Sequence, residues 1–110
     1  MSTQHAELAA GKWLQISFLE QMANIGSEVE RAIKWKNKKN IEFFKLSFAR
    51  AVELLDLTIA DGKNITRLKE LLRVRETLAD YFLFSNAYAS SDEKWHRYFY
   101  CFSFAVRKDR

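Results

Sequence analysis

Glu93 and His96 stand three residues apart in "EKWH", a spacing that puts a carboxylate and an imidazole on one face of a helix. A di-iron carboxylate centre needs two such pairs and two further glutamates converging on one point. The only other histidine is His5, and Glu93 already suits a helix cap, so no metal is expected. Glu53 with Asp56, and Glu76 with Asp80, resemble the grouped carboxylates that hold magnesium. On helical wheels all four fall off the apolar stripes, which places them on solvated faces. Small helical ribonucleases pair a histidine with an arginine a short way before it. His96 would need that arginine at positions 89 to 91, where Ala89, Ser90 and Ser91 stand. Cys101 and His96 lie five apart on one helix and do not face each other. A glycine-rich phosphate loop is absent. The reading therefore assigns no catalytic residue and no cofactor.

Cations are the more informative residues. "KWKNKK" places Lys34, Lys36, Lys38 and Lys39 around Trp35, and Lys94 and Arg97 are expected near the same pole. Lysines neutralise phosphates and a tryptophan stacks on a base, so these seven residues form a candidate nucleic-acid surface. Lysines at helix C-termini also complement the helix dipole and aid solubility. A second basic group, Lys12, Lys63, Arg67, Lys69, Arg107, Lys108 and Arg110, is expected at the opposite pole.

Arg75 raises a separate question. In "RLKELLRVRETLADYF" the wheel puts it among Leu68, Leu72, Ala79 and Phe82. A buried guanidinium needs a carboxylate, other acceptors or water. Glu28 on the first helix is the natural partner for a structural ion pair. The alternatives are an anion site at Arg75, or a stem that extends to solvent.

The elements that position these residues follow from the spacing of the apolar side chains. The chain has no proline and three glycines, which favours long helices. Residues 1 to 11 read as a flexible N-terminal arm and 12 to 110 as one domain. A first helix is predicted from about Lys12 to Lys36, with Phe18, Met22, Ile25, Val29, Ala32 and Ile33 as its stripe and Gln21 and Glu28 at the edge. Gly26 in that helix fits close approach of another backbone or is merely tolerated. The second helix, about Ile41 to Ala60, has two stripes. One is Ile41, Phe44, Phe48, Ala51, Val52, Leu55 and Ile59; the other is Phe43, Leu46, Leu54 and Leu57, with Arg50 among them. Gly62 suits a left-handed stop after this helix, and Asn64 an N-cap for a third helix from about Ile65 to Ala87. Ser90 with Glu93 reads as a capping box opening a fourth helix to about Arg107. Short connections between four helices predict an all-α, antiparallel up-down-up-down four-helix bundle.

Apolar residues make up 48% of 110 residues, including nine Phe, four Tyr and three Trp. A small domain has little interior to hide them, so the second stripe of the second helix, with Tyr100 and Phe104, is predicted to join copies into a homo-oligomer. The formal charge of +4 is compatible with RNA, DNA or an acidic protein partner. No apolar run is long enough for a membrane span, and a single cysteine favours the reducing cytoplasm.

Three stretches, "WLQISFLEQMANIGSEVERAIKWK", "AVELLDLTIADGKNITRLKELLRVRETLADYF" and "WHRYFYCFSFAVR", resemble a widespread group of small uncharacterised helical proteins of bacteria and archaea. More loosely, a short basic four-helix bundle is similar to the accessory proteins of diversity-generating retroelements and to bundle proteins encoded in ribosomal-RNA intervening sequences. That wider resemblance implies a ring-like homo-oligomer that binds nucleic acid and, in retroelements, a reverse transcriptase. It carries over no individual site residue.

Overall fold

A computed structural model describes residues 11–108, so the predicted arm lies outside the described residues except for Gly11, which is helical. The described chain is all-helical. Four long helices, α1 (Phe18–Asn37), α2 (Ile41–Ala60), α3 (Leu68–Leu83) and α4 (Asp92–Lys108), are joined by short connections, one holding a 3-10 turn at Gly62–Arg67. None is long and apolar enough to cross a membrane.

The predicted first helix breaks at residues 14–17. Ser17 caps α1 by accepting a hydrogen bond from the Glu20 N–H at 3.1 Å, which satisfies an amide left unpaired at a helix start. The break lets Trp13 fold inward, where it is buried. Beyond it, the predicted stripe holds: Met22, Ile25, Val29, Ala32 and Ile33 are buried, with Phe18 packed at their edge. α1 packs against both α2 and α4.

α2 runs over its predicted residues, but its buried face differs. Ser47, Ala51, Leu54, Leu55 and Thr58 are buried, an arc lying between the two predicted stripes. α2 packs on α1 and on α3, and a helix held by two neighbours buries a broader arc than one stripe provides. Phe44 and Phe48 sit half-buried beside Phe82 of α3, with ring centroids 5.6 and 5.4 Å away.

Gly62 is not left-handed. Among the described residues, those with positive φ are Lys39, Asn86 and Ala89, at 61°, 60° and 53°, and Lys39 turns the chain between α1 and α2. Asn64 is no helix cap either: it is buried inside the 3-10 turn, and Asp61 caps that turn by accepting from the Lys63 N–H at 3.1 Å. α3 ends at Leu83, short of Ala87. The buried Asp80 carboxylate takes the Ala87 and Tyr88 N–H groups at 2.9 and 3.1 Å, binding the loop to the helix end instead of extending the helix. α4 is capped by Ser91 rather than Ser90, through the Lys94 N–H at 3.2 Å.

At Gly26 the backbone of α1 lies close against Phe99 of α4. A Cβ built there would lie 2.8 Å from the Cβ of Phe99. Because every residue except glycine carries a Cβ, a smaller side chain at position 99 would not relieve the contact. The helices themselves would have to separate.

Candidate functional site

Trp35 lies near the end of α1, half-buried. Phe43 meets its ring nearly edge-on, with centroids 4.9 Å apart. The Lys34 and Lys38 ammonium groups stand 4.8 and 5.5 Å from the Trp35 centroid, within cation–π range. Lys39, Ile41 and Leu46 beside them are exposed. The α1–α2 connection thus gathers three lysines and an aromatic pair on an open, partly apolar surface.

Lys36 has a different position. Its ammonium donates to the Tyr81 hydroxyl at 3.0 Å and to Asp92 at 3.1 Å. Tyr81 also donates to Asp92, as does the Asn37 amide. Burial opposes ionisation of both Lys36 and Asp92, but these hydrogen bonds outweigh it, leaving Lys36 raised and Asp92 lowered from their ordinary values. Burial and the bond to Asp92 push the Tyr81 phenol up. Lys36 therefore ties α1 to α3 and α4 rather than joining the Trp35 surface. Lys94 donates to the Ala89 carbonyl at 2.9 Å and lines a groove between α3 and α4. Arg97 is exposed on α4.

Of the cations at the other pole, Lys12, Lys69 and Lys108 are exposed, and three others are engaged. Lys63 pairs with Asp61. Arg67 lies 3.6 Å from Glu70 and over the Phe18 ring. Arg107 lies over Tyr100. Arg110 is outside the described residues.

The predicted Arg75–Glu28 pair does not form. Arg75 donates to Asp56 of α2 at 2.6 Å, with 44% of its side chain exposed, and Asp56 raises its pKa. Glu28 pairs with Arg31, one turn along α1. The buried face of α3 is Leu71, Val74 and Leu78, rotated from the predicted one. α3 packs chiefly on α2, so a narrow face suffices, and Leu72 and Arg75 turn outward.

Among the residues predicted to join copies, Phe43, Leu46, Tyr100 and Phe104 are exposed, and Arg50 is exposed too. Leu54 is instead buried in the core, and Leu57 packs against it; the broad buried arc of α2 draws both inward. Of the four carboxylates placed on solvated faces, Asp80 is buried. Among the described residues, no group of three or more His, Cys, Asp or Glu side chains could hold a metal ion. His96 contacts Glu30 at 2.5 Å on the surface.

Sequence reasoning missed a buried polar knot. Gln21, fully buried, donates to the Trp13 carbonyl at 3.1 Å and to Asp61 at 2.9 Å. Asn64 donates to the Gln21 side-chain oxygen at 2.8 Å and to the Thr58 carbonyl at 3.1 Å. The Trp13 indole donates to the Thr58 hydroxyl at 2.9 Å. Burial pushes Asp61 up, yet the hydrogen bonds from Lys63 and Gln21 prevail and hold it below the ordinary carboxylate value. The one signal in the sequence was Gln21 at the edge of the α1 stripe.

No family model matches the chain, and no curated protein or solved structure does either.

Proposed function

We propose that this chain is a non-catalytic helical binding protein that self-associates and contacts nucleic acid, or a protein–RNA assembly, through the pole around Trp35. In this reading the four long helices form an antiparallel up-down-up-down bundle. Thr58 and Asp61, at the end of α2, meet Trp13, which precedes α1, and Gln21, in the first turn of α1. Asp92, which opens α4, meets Lys36 near the end of α1.

The observation that carries the reading is the Trp35 surface itself. Lys34 and Lys38 flank an aromatic ring, with Lys39 exposed beside them. Phosphates bind such lysines with strong salt dependence, while an aromatic face accepts a base without regard to sequence. Lys36 is held within the fold, whereas these three lysines edge an open surface. The exposed Phe43 and Leu46 adjoin it and provide the face on which copies meet. The setting is the cytoplasm, where the exposed Cys101 remains a thiol.

Anisotropy of a labelled single-stranded oligonucleotide at two salt concentrations tests the proposal. Binding should weaken steeply with salt, and Lys34→Gln with Lys38→Gln should flatten that dependence. If retention is absent at low salt, the second reading takes over: a protein-binding module or scaffold without nucleic-acid contact, for which the same exposed apolar residues speak.

A further inference from the structure

The backbones of α3 and α4 approach each other far less than those of α1 with α2 and with α4. Side chains span the gap. At one end the Tyr98 hydroxyl donates to Glu70 at 2.8 Å and closes it. Beyond that bridge lies a groove of about 400 Å³, within the range of small-molecule sites. Val74, Thr77 and Trp95 line it, with Arg73 and Lys94 exposed on its rim and Ser90 toward the far end.

Two observations point to an occupant. Trp95 is 94% buried, its exposed fraction being 6%, and its indole nitrogen is the one buried side-chain N or O among the described residues without a hydrogen-bond partner. That nitrogen is itself sealed from solvent, so Trp95 offers the groove no hydrogen bond, and the mainly apolar lining suits an apolar body. The second is charge. Glu70, the only acid in the lining, is engaged by Tyr98 and lies beside Arg67. Arg73 and Lys94 then leave the rim positive.

We propose that the α3–α4 groove binds a small organic monoanion: a flat apolar body against Val74 and Trp95, and an acidic group between Arg73 and Lys94. This site lies apart from the Trp35 surface and does not depend on nucleic-acid binding. The acid complements the two rim cations, and the apolar body replaces water over an otherwise greasy floor.

The three tryptophans report on separate places. Trp13 sits in the polar knot, Trp35 at the basic pole and Trp95 in the groove, so their indole N–H NMR signals distinguish the sites. The probe is naphthoate, with naphthylmethanol as its uncharged counterpart. Naphthoate should shift the Trp95 signal saturably and leave Trp13 unmoved, and the alcohol should bind about tenfold more weakly. Arg73→Gln with Lys94→Gln should abolish that preference. Thr77→Phe, which fills the groove from a half-buried position, should remove binding while the Trp13 signal reports an intact fold. An unmoved Trp95 signal at millimolar naphthoate overturns the proposal. So does equal binding of acid and alcohol, an undiminished response in Thr77→Phe, or evidence that a second copy of the chain occupies the groove.

Discussion

Asp61 keeps a carboxylate where only 8% of the residue reaches solvent, and it is held ionised by Lys63 and Gln21 against the cost of burial. Its folded pKa lies below that of the unfolded chain. The ionised form therefore stabilises the fold above the ordinary carboxylate range, and this contribution is lost as pH falls through about 4 and below. Asp61→Asn should consequently be less stable than the wild-type chain at neutral pH, with the two converging in acid, as read by urea denaturation across that range. An equal deficit at every pH would show that Asp61 gains nothing from ionisation. Arg75 gives the contrasting case. It and Asp56 are both about half exposed, and pairs in water contribute roughly 0–1 kcal/mol. Arg75→Ala should therefore shift stability by less than about 1 kcal/mol, where a buried pair would lose roughly 3–5 kcal/mol on losing one partner. A large loss in denaturant titration would restore the buried-pair expectation.

Gly26 decides how closely two elements pack. Alanine is the better helix former by about 1 kcal/mol, but its Cβ would sit 2.8 Å from that of Phe99. Overpacking of this kind costs roughly 1–3 kcal/mol, so Gly26→Ala should lower the melting temperature despite its propensity gain. A higher melting temperature would mean that α1 and α4 separate freely. The elements also show what a lone sequence carries. The α1 stripe and the extent of α2 were legible because apolar spacing is local and strong. The Ser17 break was not, since it depends on Trp13 reaching Thr58, 45 residues away. The α3 wheel was misplaced for a related reason. Leucines at 68, 71, 72 and 78 admit more than one centre, and only the presence of a neighbour on one side selects Leu71, Val74 and Leu78. For the candidate site, the lysines around Trp35 could be read directly. That Lys36 leaves them for Tyr81 and Asp92 could not, because both partners come from distant helices.

At the scale of the molecule, the issue is apolar surface left outside the core. Ile41 and Leu46 are 66% and 64% exposed, and Phe84 is 73% exposed. Single exposed apolar residues are ordinary, but Phe43 and Leu46 lie one turn apart on one face of α2, and neighbouring exposed apolar residues mark contact sites. Light scattering at micromolar concentration should give an oligomer, and Leu46→Lys should give a folded monomer. A wild-type monomer would remove self-association from the account.

The central claim is that this chain works by presenting the lysine-flanked Trp35 pole to a nucleic acid. The most direct measurement follows the three indole N–H signals as a short single-stranded oligonucleotide is added at low salt. The account predicts that the Trp35 signal moves and returns as salt rises, while those of Trp13 and Trp95 stay in place. A stationary Trp35 signal, or one that moves no more than the other two, would contradict it.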